Sequence, residues 1–368
     1  MKIAFLGCRG IPANYGGFET ITEELSTALA KRGHQVIVYG RKGNSKTDLK
    51  EYMGVRLYYM PQIRGKITET FSSTFFAMFH VLFQDIDIIY VMNSANSPLC
   101  VLPWILRKKV IINVDGLDWK RKKWGRIARQ YYQWAEKLAT YFSTRILTDS
   151  LQIKKYYAEK YKINTTFIAY GAHIEDAEIP GILEKYNLTT GNYFFITTRL
   201  EPENNTDLAV KAFEKIHTNK KLVIAGGANY KSRYVQKLTS TKDPRVIFLG
   251  PLYHAGHLKE LYCNCFAYIH GNEVGGTNPG LLKAMGFGNT VLALDTKFNS
   301  EVLQDTGILF AASVDDLVEK MQYLIDNPTY CRSFKEKAQN RIRENYTWKK
   351  ITDQYEKLFE DVVNGTFG

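Results

Sequence analysis

An alternation running almost from end to end constrains this chain most. Short runs of β-branched and aromatic residues are each followed by a longer segment with helical spacing. In the first half the runs are KIAFLGC at 2–8, QVIVY at 35–39, VRLYYM at 55–60, IDIIYVM at 86–92, VIINV at 110–114, RILTD at 145–149 and TFIAY at 166–170. In the second half they are YFFITT at 193–198, KLVIAG at 221–226, RVIFLG at 245–250, FAYIH at 266–270 and TVLAL at 290–294. Such runs, apolar without strict alternation, suit strands buried on both faces of a parallel sheet. The intervening segments carry apolar residues three and four apart. From Gly17, for example, Phe18, Ile21, Leu25 and Leu29 share one face before Gly33 ends the helix. In the second half helices are expected at 205–217, 230–240, 256–263, 280–287 and 315–325.

Two such series in 368 residues exceed what one core usually serves. The pattern predicts two α/β domains, residues 1–172 and 173–346, joined through a polar stretch at 172–190. A terminal helix over about 347–368 is free to pack back on either half. Two open sheets imply a cleft, with ligands beyond the carboxyl ends of the strands.

Composition narrows the partners. Lys and Arg number 49 against 37 Asp and Glu, a net charge of +12. That balance favours phosphates or an anionic membrane surface. No nucleic-acid-binding module is recognisable, so nucleic acid is not expected as a partner. The five cysteines form no regular framework, which fits a reducing compartment. Met1 leads straight into an apolar strand with no cleavage pattern, and no apolar run reaches 18 residues. The expected location is cytoplasmic, peripheral at the inner face of the cell membrane. Metal-ligand and hydrolase spacings are missing from the sequence, so no metal and no cofactor are expected.

Four loops after strands concentrate the chemistry. In GCRGIPANYGGFE, Gly16 and Gly17 open a helix whose free amides could receive an anion. Arg9 could hold a phosphate or carboxylate. Glu19 either complements the helix dipole or accepts from a sugar hydroxyl. In NVDGLDWKRKKWGR, Asp115 stands where it would meet a substrate, or else forms an Asx-type turn with Gly116 supplying the left-handed position. Lys120, Arg121, Lys122, Lys123, Arg126 and Arg129 then place six cations in ten residues, flanked by Trp119 and Trp124. That mixture is either a solvated face or a contact for anionic headgroups or a lipid pyrophosphate. In TTRLEPENN, Arg199 suits phosphate recognition or pairs with Glu201 or Glu203. In HGNEVGGTNPGLLKAM, Gly276, Thr277 and Asn278 make a tight anion cradle before Pro279, a natural first helical residue. His270 and Glu273 lie beside it.

The segments GIPANYGGFET, NVDGLDWKR, LTDS, YGA, RLEPENN, FLGP and HGNEVGGTNPGLLKAM together resemble a retaining nucleotide-sugar glycosyltransferase of the family 4 class, in its rhamnosyltransferase-like branch. The resemblance implies the GT-B fold, two Rossmann-like domains with parallel sheets facing each other across a cleft. It implies transfer with retention of L-rhamnose from a dTDP donor to a lipid-linked saccharide in surface polysaccharide assembly. Another UDP-, GDP- or dTDP-hexose is the alternative donor. By the same resemblance Gly16, Gly17, Arg199, Gly276, Thr277, Asn278 and Lys283 hold the donor diphosphate, Asp115 and Arg199 are catalytic, and Arg9, Glu19, His270 and Glu273 contact sugar or acceptor. The family pattern is broken at Asn204, where a Lys is usual, and at Lys283, where Glu usually contacts ribose. Lys283 is expected near the start of its helix, against the dipole. It either helps hold the diphosphate or marks a non-catalytic nucleotide-sugar-binding or scaffold homologue.

Overall fold

A computed structural model describes residues 1–13, 16–43, 49–63, 65, 68–121, 124–176, 179, 181–227, 233–252 and 255–366. The chain forms two compact units, Met1–Gly171 with Trp348–Gly368, and Ala172–Thr347. The alternation read in the sequence is realised in both.

The first unit holds strands β1 (Lys2–Leu6), β2 (Gln35–Arg41), β3 (Glu51–Tyr52), β4 (Val55–Met60), β5 (Ile88–Met92), β6 (Val110–Asn113), β7 (Arg145–Thr148) and β8 (Thr166–Phe167). Their order is β3-β4-β2-β1-β5-β6-β7-β8. Neighbours pair in parallel except β3, which runs antiparallel to β4. Strand β1 is central: Ile3 pairs with Val36 on one side and Ile88 on the other. Ile3, Ala4, Phe5 and Leu6 are wholly buried, as expected for a strand covered on both faces. The terminal helix Trp348–Asn364 belongs to this unit and buries Ile351, Tyr355, Phe359 and Val362. Its Tyr355 hydroxyl meets that of Tyr90 at 3.1 Å. Arg32 reaches Asp353 and Glu356 at 2.6 and 2.5 Å. The ring of Trp348 lies where a Cβ on Gly171 would be, 2.5 Å away, so only glycine fits there.

The second unit holds β9 (Tyr193–Thr197), β10 (Lys221–Ala225), β11 (Val246–Gly250), β12 (Ala267–His270), β13 (Val291–Leu294) and β14 (Ile308–Phe310). All pairs are parallel, in the order β11-β10-β9-β12-β13-β14. One core joins strand residues Phe194, Leu222 and Ile269 to Phe213, Leu317 and Met321 of the covering helices. The order reverses direction between β1 and β5 in one sheet and between β9 and β12 in the other. Such switch points open a crevice at the strands' carboxyl ends. The loops after β1, β9 and β12 emerge there, and the helix Arg233–Leu238 is what is described of the 230–240 expectation.

Candidate active site

In the first unit the loop after β1 is fastened by acids from the helix Gly17–Lys31. Glu19, buried, accepts from the Arg9 amide at 3.0 Å. Glu23 accepts from the Ala13 amide at 2.5 Å and the Tyr52 hydroxyl at 2.8 Å. Glu19 therefore shapes the loop through its Oε1. Gly16 is the N-cap, and a Cβ there would press on Glu19 Oε2 at 3.2 Å. Gly17 is the first helical residue. Two glycines not singled out earlier matter as much: Gly10, at φ +113°, passes Gly40 with only 3.1 Å between an added Cβ and the Gly40 Cα. That crossing seats Arg41 next to Arg9, through a 3.0 Å bond from the Arg41 amide to the Arg9 carbonyl. Arg41 is buried and donates to Thr70 Oγ1 at 2.8 Å. Burial, and then the charge of Arg9, pull its pKa below the usual value.

Beyond β6, Asp115 itself takes the left-handed conformation at φ +53°. The alternative reading of this loop as an Asx-type turn gives that position to Gly116; Asp115 holds it instead, because Asn113 Oδ1 accepts from the Asp115 amide at 2.9 Å and bends the chain one residue earlier. A non-glycine residue held this way is enriched at functional sites. Asp115 is half-buried, and its Oδ1 accepts from the Tyr170 hydroxyl at 3.0 Å. Burial, and then the charge of Asp118, push its pKa up, against Arg121 and the Tyr170 bond. Asp118 is fixed by Asn93 at 2.8 Å and Arg121 at 2.6 Å.

The basic cluster divides. Lys120 and Arg126 are exposed, Arg121 is committed to buried Asp118, and Lys122 and Lys123 lie outside the described residues. Trp119 and Trp124 are half-buried with their indole nitrogens inside, and the Trp124 ring lies 5.3 Å from that of Tyr132, tilted by 41°. They are packing residues, not surface anchors.

In the second unit the loops after β9 and β12 are laced together. Asn204 Nδ2 donates to the Arg199 carbonyl at 2.7 Å, Asn205 Nδ2 to the Gly271 carbonyl at 2.9 Å, and the Glu273 amide to the Glu203 carbonyl at 2.9 Å. Asn204 thus braces the backbone that presents the exposed Arg199 side chain. Gly226, at φ +146°, lies under this loop: an added Cβ would stand 1.8 Å from the Thr198 carbonyl oxygen. Gly276 and Thr277 are buried, and Asn278 caps the helix Pro279–Gly286, accepting from the Gly280 amide at 2.9 Å. Glu273 is exposed. His270 is buried, stacked on Tyr268, with neither ring nitrogen hydrogen-bonded. Burial pulls its pKa down to about 3, so the ring is neutral and sits within the core of the site. Lys283 is exposed, but this helix has only eight residues and Lys283 falls in its last turn. The dipole there favours a cation, so the expected conflict is absent. Among the described residues no group of three or more His, Cys, Asp or Glu could hold a metal ion.

Comparison with known proteins follows the same division. Residues 1–173 match a family model described as a domain of unknown function, DUF1972, and residues 179–341 match glycosyl transferases group 1. Over the whole chain the structure superposes on sucrose-phosphate synthase from Thermosynechococcus elongatus with a TM-score of 0.84 at 18% identity, covering 99% of this chain and 100% of that one. The fold is GT-B. Anabaena HepE in complex with UDP-glucose gives 0.79 at 17% identity, over 98% and 100% of the two chains. WaaG, a glycosyltransferase involved in lipopolysaccharide biosynthesis, gives 0.74 at 16%, over 100% of both. In sequence, 101 residues are 36% identical to an uncharacterized glycosyltransferase, MJ1069, of Methanocaldococcus jannaschii, about a quarter of either protein. The group 1 match corrects the assignment to the family 4 class and its rhamnosyltransferase-like branch. Retention at the anomeric carbon, the retaining hexosyltransferase activity and the L-rhamnose donor rested on that branch and are withdrawn with it.

Proposed function

We propose that this protein is a glycosyltransferase that moves a sugar from a nucleoside-diphosphate donor to an acceptor hydroxyl. The observation that carries this reading is the match of residues 179–341 to glycosyl transferases group 1, over the segment that holds the braced Arg199 loop and the capped helix behind Gly276 and Thr277. HepE, of the same fold, is described with UDP and with UDP-glucose, which supports a nucleotide-sugar donor.

Transfer breaks the bond from the anomeric carbon to a phosphate oxygen and forms one to the acceptor oxygen. Negative charge gathers on the departing diphosphate, and the acceptor loses a proton. Fixed donors and cations aimed at the leaving group lower that barrier. Arg199 and Lys283, both exposed, would supply cations, with Gly276, Thr277 and the cap at Asn278 giving close backbone approach. Gly16 and Gly17 offer a second helix start. Asp115, with its raised pKa and a hydrogen-bonded tyrosine, suits a proton acceptor. The acceptor in this reading is a lipid-linked glycan met at the anionic inner face of the cell membrane. The net charge of +12 and the exposed Lys120 and Arg126 support that setting.

The test is a mass-spectrometric screen of UDP-, GDP- and dTDP-sugars for nucleotide release and sugar transfer, paired with calorimetric titration of UDP, GDP and dTDP. Turnover of one donor class is the expected result. Nucleotide binding without turnover across the panel would leave only a binding role, and absence of binding would refute the proposal.

A further inference from the structure

The helix Thr68–Leu82 is apolar on the face it turns to water as well as on the face it buries. Its buried residues are Ala77, Met78 and Val81 together with Ser72, Ser73 and Thr74. Their hydroxyls are satisfied within the helix, at 2.6 Å to the Thr68 carbonyl and at 3.1 and 2.8 Å to that of Thr70. Apart from Thr68 its exposed residues are Phe71, Phe75, Phe76 and Phe79, followed by Phe83, which is 75% exposed. A helix of a water-soluble surface buries its aromatics and presents its hydroxyls.

The apolar surface continues onto neighbouring elements. The helices Thr68–Leu82, Val101–Ile105 and Arg126–Phe142 all pack on the turn helix Ser94–Cys100. The second exposes Trp104, Ile105 and Leu106, and its Trp104 ring meets Phe142 at 5.5 Å. The third exposes Ile127, Trp134 and Tyr141, spaced by seven on one face. Single exposed apolar residues are ordinary, whereas a continuous patch of this kind marks an interaction site.

The charges beside the patch select the occupant. Arg107, Arg126, Arg129 and Lys137 are exposed along the second and third helices. The sole acid of the third helix, Glu136, is buried and accepts from Tyr156 and Tyr161 at 2.7 Å each. Beyond Phe83, Asp85 is paired with Lys2. The carboxylates nearby, Glu69, Asp85 and Asp87, lie at the two ends of the first helix, whereas the aromatics and aliphatics of the second and third helices are edged by Arg and Lys, which suits the headgroup boundary of an anionic bilayer. Among the described residues no helix is long and apolar enough to cross a membrane, so this contact lies in the surface plane.

We infer that this three-helix face docks the first unit onto an anionic lipid surface through Phe75, Phe76, Phe79 and Phe83, with Trp104 and Trp134 at the boundary and Arg107, Arg129 and Lys137 on the headgroups. The inference deepens the membrane setting proposed above and moves its apolar contact away from Trp119 and Trp124.

The experiment is flotation of the full chain with vesicles of pure phosphatidylglycerol or pure phosphatidylcholine, comparing wild type with Phe75→Ser/Phe79→Ser and with Arg107→Gln/Arg129→Gln/Lys137→Gln. Wild type should float with phosphatidylglycerol only, with a blue shift of tryptophan emission. The serine variant should lose about tenfold or more in partitioning, from the apolar area it no longer inserts. The glutamine variant should lose the preference for phosphatidylglycerol. Both substitute exposed side chains, and circular dichroism verifies their folding. Wild type that ignores phosphatidylglycerol, or a serine variant that floats equally well, would overturn the inference. So would a dimer in light scattering that the serine variant abolishes, because the face would then belong to a second copy. Nucleotide titration of the same samples separates the two readings: lost flotation with intact nucleotide binding removes only the docking face, and the reverse removes only the transferase.

Discussion

Replacing Gly226 by Ala should damage the second unit far more than a methyl group's volume suggests, and Gly275→Ala is the control that shows why. Both glycines occupy backbone conformations that other residues avoid, at φ +146° and +150°. A non-glycine residue in such a region costs about 1–3 kcal/mol. At Gly275 nothing lies within 4 Å of the new Cβ, so that strain is the whole penalty. At Gly226 the Cβ would stand 1.8 Å from the Thr198 carbonyl oxygen and 3.0 Å from its carbon. Neither atom belongs to a side chain that can swing aside, so the backbone after β9 must move. That movement strains the bonds from the Thr198 amide to Ala225 (3.1 Å) and from the Leu200 amide to Gly227 (3.0 Å). Losing them adds about 1–3 kcal/mol, for a total of about 2–6 kcal/mol. In a unit of this size each kcal/mol lowers Tm by about 2–4 °C. Calorimetry should therefore show the second unit melting about 4–24 °C lower in Gly226→Ala and clearly less displaced in Gly275→Ala. Nucleotide affinity should fall with the former, because Arg199 stands on the displaced loop. Equal, small shifts in the two variants would refute the collision.

Asp115→Asn keeps the left-handed backbone, which Asn tolerates, and should abolish transfer. Because the native carboxyl pKa is raised, wild type is most stable with Asp115 protonated and loses that advantage as pH rises through the folded value. The Asn variant should thus melt higher than wild type at neutral pH and no higher near about pH 4, read by thermal denaturation. Arg199→Ala should weaken nucleoside-diphosphate binding by about 1.5–3 kcal/mol in calorimetry, with Tm unchanged. His270 has its pKa depressed, so unfolded chains bind its proton first, and stability should fall as pH drops below about 6.5, by up to about 1.4 kcal/mol per pH unit. His270→Gln should flatten that slope in urea titrations.

Much of the architecture is legible in residue order because strand and helix periods are local properties. The runs at 2–8 and 193–198 read as buried strands and are so. The Asn278–Pro279 pair reads as a helix start for reasons that need no tertiary information. What escaped depends on partners distant in sequence. Gly10 matters because Gly40 crosses it, and Gly226 because Thr198 lies against it. The left-handed residue after β6 is Asp115 and not Gly116, since Asn113 closes the turn first. Lys283 reads as near the helix start, although the helix expected at 280–287 is as short as the observed Pro279–Gly286, which leaves Lys283 in the last turn. The aromatic run of the helix Thr68–Leu82 looks like core until the structure shows Ala77, Met78 and Val81 buried and its phenylalanines exposed.

The helix Trp348–Asn364 also sets an order of events during synthesis. It supplies buried Ile351, Tyr355 and Phe359 to the unit that holds the amino terminus, and Tyr355 completes the hydroxyl pair at Tyr90. A ribosome releases residues in sequence, so Ala172–Thr347 is whole before that helix emerges. The unit begun first is finished last, and until then its apolar seam around Tyr90 stands open to water or to a chaperone.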